Sequence, residues 1–374
     1  MRGLNPWIRT DHELADFVAQ LAGCRKLALD TESDSLYHHF EKVCLIQVAA
    51  EGLAPRLIDP LALTSLQVLA SVMADEAVAK VLHGADYDVT TLKRDFGFRF
   101  CGLWDTMIAA RLLGRTEFGL QALVRSELGI ELQKGAQKDD WSRRPLTPRQ
   151  ESYALADVEH LLVLQQRLSD ELATLGRSAW LQEECDAVAE LPAARRRQDP
   201  DAYQKIKGAR ELSARGLAIL RELHIWRESY AEKTNIPPFK ILQPTTLLLL
   251  ASNPPARDAL LRLPEMRRLP REAPSLLAAI ARAQALPEEE LPQIVAKPWA
   301  RVSAETKART AALNRLRQEI AKAETLDVSI VLPQRLIDKV AEANPRTLEA
   351  LAAIEGLRRW RVAVWGEKIL AALS

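Results

Sequence analysis

The chain has 374 residues, 48% of them hydrophobic and 27% charged, with 51 Lys and Arg against 50 Asp and Glu. That composition is too apolar for a disordered chain and suits two or three globular domains. No apolar run approaches the roughly 18–20 residues that would span a bilayer.

The near-neutral total hides a division. Residues 1–200 hold 23 Lys and Arg against 30 Asp and Glu, a balance of −7, whereas residues 201–374 hold 28 against 20, a balance of +8. An acidic half suits a carboxylate site for cations and a basic half suits a polyanion, although two unlike solvated surfaces would give the same numbers. The opening MRGLNPWIRTDHEL lacks the apolar core of a signal peptide, so a cytoplasmic location is expected. Cys24, Cys44, Cys101 and Cys185 form no CxxC pair and are expected to be plain thiols.

In chain order, KLALD at 26–30 and VCLIQVAA at 43–50 are short, apolar and bounded by turns, as buried strands are; residues 56–59 and 78–83 are candidates for two more. Helical patterns are predicted over 64–73, 86–96, 105–113, 120–128 and 147–175, several opened by Asp or Thr as N-caps. Alternating strands and helices make this an α/β domain. The stretch LPAARRRQDPDAYQKIK, charged and with two prolines, reads as a linker. Beyond it every pattern is helical. Two units there share an order of features: a long charged helix, a short helix near a proline, then a helix pair.

Three carboxylate motifs stand out in the first half. Because side chains alternate along a strand, Asp30 and Glu32 point the same way at the end of a buried strand, where an unpaired anion is costly and a cation or proton must neutralise it. A lone DxE is more often a pair of solvated loop acids. Asp34 continues the alternation as a decoy or auxiliary ligand. In HGADYDV, Gly84 permits a sharp turn, Asp86 is expected to cap the following helix, and Asp88 in its first turn is the better ligand candidate; His83 reads as a strand-end residue. In YALAD, Tyr153 and Asp157 are four apart and share one helix face.

The ordered set Asp30-Thr31-Glu32, Asp88 and Tyr153…Asp157 resembles the exonuclease motifs of the DEDD superfamily, tyrosine-bearing branch, and LALDTE, LHGADYD, WSRRPLTPRQ and YALADVEHLL resemble ribonuclease D. LSARGLAILRELHIWRESYAEKTNIPPFKIL and, less clearly, LRRWRVAVWGEKILAAL look like two copies of the HRDC helical domain. Ser33 departs from the pattern, in which an aromatic often follows DxE.

The resemblance implies a ribonuclease H-like α/β fold, a mixed sheet flanked by helices, over residues 1–195, followed by two small all-α domains. Residues 196–208 and 288–301 are linkers, 209–287 a first HRDC domain, and 302–374 a second, diverged one. It implies a 3′→5′ exoribonuclease that trims RNA 3′ ends, tRNA precursors among them, and releases nucleoside 5′-monophosphates. Asp30, Glu32, Asp88 and Asp157 would hold two divalent cations, Mg2+ or Mn2+, with Tyr153 orienting the attacking water. Lys134, Lys138, Trp141, Arg143 and Arg144 are candidates to grip phosphates and stack a base, with Trp141 alternatively a core anchor. A monomer with no membrane association and no obligatory protein partner is expected. A DNA exonuclease of repair type and a non-catalytic nucleic-acid-binding protein are the competing readings; a GxxxxGK[ST] phosphate loop, which a helicase needs, does not occur.

Overall fold

The computed structural model describes residues 5–133, 135–194, 199–293 and 303–373. The chain divides into two compact units: Met1–Ser33, Val43–Ala194 and Ala300–Ser374 form one, and Asp34–Lys42 with Arg195–Trp299 form the other.

The first unit is built on a six-stranded mixed sheet. Its strands are β1 (Trp7–Ile8), β2 (Lys26–Ser33), β3 (Val43–Ala50), β4 (Leu53–Ile58), β5 (Ala79–Leu82) and β6 (Leu103–Asp105), in the order β1-β4-β3-β2-β5-β6. β2, β3 and β4 form an antiparallel meander, while β5 joins β2 and β6 joins β5 in parallel. Every residue of β3 is buried, which is why VCLIQVAA runs apolar without alternation: helices cover both faces. β1 and β6, with two and three residues, are too short to show a period in sequence.

Helices α1 (Asp11–Gln20), α2 (Ala70–Ala74), α3 (Asp86–Phe96), α4 (Thr106–Leu112), α5 (Leu120–Leu123), α6 (Pro148–Glu159), α7 (Leu161–Thr174) and α8 (Ser178–Ala189) complete this α/β portion. Thr147 caps α6 through a reciprocal capping box with Gln150, and Pro148 sits at the first helical position, where its missing N–H costs nothing. The predicted helix over 147–175 is thus two helices broken at His160.

The second unit holds α9 (Ala214–Thr234), α10 (Pro238–Ile241), α11 (Pro244–Ser252), α12 (Arg257–Leu261) and α13 (Ala273–Gln284) around a core of Leu217, Leu220, Leu223, Leu247 and Leu276. Tyr203, which sequence placed in a linker, is buried in this core. The Arg195–Arg197 run and residues 294–301 of the second expected linker lie outside the described residues. Asp34 is fully buried here: its carboxylate accepts from the Lys42 backbone N–H at 2.8 Å and the Lys42 ammonium at 2.7 Å.

The chain then returns to the first unit with α14 (Ala304–Glu324), α15 (Val328–Val331), α16 (Gln334–Ala343), α17 (Leu348–Ala352) and α18 (Arg359–Ala372), which repeat the α9–α13 order of lengths. These helices share one continuous core with the sheet. On α8, Trp180 stacks on Trp360 with ring centroids 4.4 Å apart, and Glu184 accepts from Arg361, Arg358 and the Trp360 indole. Among the described residues, no helix is long and apolar enough to cross a membrane.

Candidate active site

The carboxylates converge at the end of β2. Asp30, Glu32 and Asp157 each offer an oxygen, and those oxygens lie within 4.8 Å of one another. Strand alternation aims Asp30 and Glu32 at the face that α6 covers, and Asp157 comes down from α6 one turn beyond Tyr153.

Burial without cations sets the electrostatics. Desolvation, then the charge of Asp157, pushes Asp30 up to about 8. Desolvation, then Asp30, Asp157, Asp88 and Asp139, pushes Glu32 up to about 10. Asp157 is raised by burial to about 7, against the hydrogen bond it accepts from Tyr153. Burial and the same carboxylates push the Tyr153 phenol well above its ordinary value, so it stays neutral and remains a donor.

Asp88 is buried in the first turn of α3, raised by desolvation and then by Asp30. It stands outside the mutually close trio. Thr31, which alternates to the other side of β2 from Asp30 and Glu32, donates its hydroxyl to Asp88 Oδ1 at 2.5 Å. Two residues on, the Ser33 and Tyr87 hydroxyls lie 2.7 Å apart, so β2 and α3 are joined twice.

The turn into α3 differs from the sequence reading. Asp86 is the first helical residue rather than the cap; Ala85 holds the cap position with no side-chain bond. Asp105 does the work instead, accepting from the N–H groups of Gly84, Ala85, Met107 and Ile108 at 2.7–3.1 Å. Gly84 needs to be glycine: its φ is +70°, and a Cβ there would come within 2.9 Å of Met107 Cε. His83 bonds Thr106 through Nδ1 at 2.8 Å and is no member of the carboxylate group. Sequence reasoning missed the bond of Thr31 and, although it opened a helix at Asp105, the reach of that carboxylate back to Gly84 and Ala85. Thr31 was findable, since it lies between two carboxylates and must face the opposite side.

Two of the expected substrate contacts are corrected. Trp141 is 1% exposed, with its ring 6.2 Å from that of Tyr153, so it anchors the core beneath the tyrosine and has no free face for a base. Arg144 is clamped bidentately on buried Asp59 at 2.7 and 2.8 Å and also donates to the carbonyls of Cys44 and Trp141, leaving it no role as a phosphate grip. Arg143 pairs with Asp140 at 3.1 Å but its side chain is 80% exposed, and Lys138 is exposed. Lys134 lies outside the described residues.

A half-buried trio of carboxylates with raised proton affinity, all oxygen donors and no cationic side chain among them, fits hard divalent cations. A family profile described as 3′-5′ exonuclease matches residues 5–173, and one described as HRDC domain matches residues 216–294 and 306–373. Among curated relatives, Ribonuclease D of Jannaschia sp. (strain CCS1) is 36% identical over 301 residues, 77% of each chain. Ribonuclease D of Pseudomonas paraeruginosa is 32% identical over 379 residues, 98% of this chain and 97% of the relative. The crystal structure of Escherichia coli RNase D, an exoribonuclease involved in structured RNA processing, superposes with a TM-score of 0.70 at 27% identity and covers 99% of both chains. The catalytic core of RRP6 from Trypanosoma brucei gives 0.68 at 26% identity, over 75% of this chain and 80% of that one.

Proposed function

Because the chain belongs to the ribonuclease D family of 3′→5′ exoribonucleases, we propose that Asp30, Glu32, Asp88 and Asp157 hold two divalent cations, Mg2+ or Mn2+, at which single nucleotides are cut from RNA 3′ ends. The close approach of the Asp30, Glu32 and Asp157 oxygens carries this reading. When bound, the cations supply a nucleophilic water at neutral pH and offset the charge developing on the scissile phosphate.

The residues of the chain do the rest. Asp30 belongs to the trio and its charge also raises Asp88, so it would be the carboxylate to serve both cations. Thr31 donates to the Asp88 carboxylate and fixes its orientation, which would leave Asp88 little rotamer freedom to lose on holding a cation. The neutral Tyr153 hydroxyl would orient the attacking water rather than take its proton, because a phenol that keeps its own proton near pH 7 has no place for another. Trp141 packs beneath Tyr153 and holds the ring in place. Lys138 and Arg143 are the exposed cations of the expected substrate segment and would attract the phosphates upstream of the cleaved bond. The substrates would be structured RNA 3′ ends, tRNA precursors among them, and the products nucleoside 5′-monophosphates, with the protein acting as a cytoplasmic monomer.

The test uses matched single-stranded RNA labelled at the 3′ or 5′ end, with Mg2+, Mn2+ or EDTA. A 3′ label should be released at once as a mononucleotide, and a 5′ label should form a descending ladder, only with metal. Near-wild-type trimming by Asp157→Asn would overturn the assignment. A faster rate on matched DNA would favour the repair-type reading.

A further inference from the structure

Gln47 lies in the middle of β3 and is fully buried, yet neither its amide oxygen nor its amide nitrogen has a hydrogen-bond partner. Every other residue of that strand is apolar, VCLI before it and VAA after. Leaving a buried amide unpaired costs roughly 1–3 kcal/mol, which a leucine or methionine of similar volume would avoid. The position therefore calls for a partner that the apolar neighbours do not provide.

The register says which group is nearest. Gln47 is paired with Leu57 on one side and with Asp30 on the other. Residues directly opposite in an antiparallel pair project from the same face with Cβ atoms about 4.5–5.5 Å apart. Gln47 and Asp30, the first carboxylate of the cluster, thus leave the sheet side by side on one face. A glutamine's three side-chain torsions let its terminal group reach an oxygen at that separation.

We propose that Gln47 is a positioning residue for the carboxylate centre: its Nε2–H donates to the Asp30 carboxylate as that carboxylate turns to bind a divalent cation, and so fixes the orientation in which Asp30 serves both cation positions. This rests on the reading of the cluster as a metal site. Outer partners that hold a ligating carboxylate typically change metal affinity by about 10–100-fold when removed. The competing account is structural, with the amide holding a buried water.

The experiment measures Mn2+ binding to the full-length protein by titration calorimetry, together with thermal melts in EDTA, for wild type, Gln47→Met and Gln47→Asn. Met removes the amide at nearly constant volume, and Asn withdraws it by one methylene. For Gln47→Met we expect a melting temperature in EDTA no lower than that of wild type and a Kd for Mn2+ raised about 10–100-fold. Asn should weaken Mn2+ in the same direction, and saturating Mn2+ should restore most of kcat to both variants. Unchanged Mn2+ affinity in both, with a lowered melting temperature in EDTA, would overturn the proposal in favour of the water-holding role. Failure of wild type itself to bind Mn2+ would remove the cluster reading and this inference with it.

Discussion

Thr31 and Asp88 belong to different motifs, one on a strand and one on a helix, and the hydroxyl of the first is bonded to the carboxylate of the second at 2.5 Å. The bond makes the orientation of Asp88 a property of β2 rather than of α3 alone. Thr31→Val keeps the shape and removes the donor. Trimming should fall by roughly 10–100-fold with far-ultraviolet circular dichroism unchanged. A rate within twofold of wild type would show that Asp88 needs no such support.

Tyr153 is held neutral by burial and by Asp157, Glu32 and Asp30. Tyr153→Phe should therefore lower kcat, by an amount on the order of 10²-fold, while leaving KM and Mn2+ affinity close to wild type. Steady-state kinetics at several pH values check this. Loss of an alkaline limb in the variant's pH profile would mean instead that the phenol titrates during turnover.

Burial leaves Asp157, Asp30 and Glu32 protonated up to about 7, 8 and 10. Their proton affinities in the folded chain exceed those in the unfolded chain, so the folded state binds more protons between about pH 4 and those values. Stability without metal should be greatest at the acid side of that window and decline as pH rises through it. A bound cation displaces the protons, so Mn2+ affinity should grow with pH over the same range. Melts from pH 6 to 9, with EDTA and with saturating Mn2+, should diverge as pH rises. Parallel curves would contradict the arrangement.

Glu184 titrates in the opposite sense. Burial pulls its carboxyl upward, but Arg361 and Arg358, with hydrogen bonds from Arg361 and the Trp360 indole, outweigh burial and hold it below the usual carboxylate range. Glu183 lies alongside, accepting from the backbone N–H groups of Arg359 and Trp360. A depressed folded-state value contributes stability above the unfolded value of 4.5, lost as pH falls through the folded one. Tryptophan fluorescence below about pH 4.5 should report the α8–α18 contact loosening, and Glu184→Gln should weaken the contact at neutral pH and flatten that acid transition.

Arg144 and Arg143 are neighbours with different work. Arg144→Ala leaves buried Asp59 unpaired and should lower stability by about 3 kcal/mol or more without changing RNA affinity per folded molecule. Arg143→Ala should leave the melting temperature unchanged and weaken RNA binding, with a slope against log salt reduced by roughly 0.7, the single-strand value for one phosphate contact. Filter binding at several salt concentrations and thermal melts separate the two.

Legibility in the sequence followed the physics of each signal. β2 and β3 were readable because four to eight apolar residues between turns have few other uses, and α3 was readable over 86–96 from its spacing. β1 and β6 were not, since two or three residues carry no period. Asp30, Glu32 and Asp157 could be nominated because alternation and helical spacing fix direction. The segment holding Trp141, Arg143 and Arg144 has neither period, so an indole and two guanidiniums there could not be sorted into core and surface. The second role of Asp105 was invisible for another reason: beyond its own helix, the carboxylate also serves N–H groups before α3, some twenty residues away.

The stacking of Trp180 on Trp360 bears on how this protein comes to exist. During synthesis the α/β portion emerges first, with its α8 indole and two neighbouring glutamates bare, and the residues that cover them follow only after the second unit. The nuclease portion is thus finished by α18, after the whole second unit has been translated. A messenger cut short anywhere in between would yield a sheet with all its carboxylates in place but an aromatic face open to any passing chain, a product fit for aggregation or proteolysis rather than for trimming RNA.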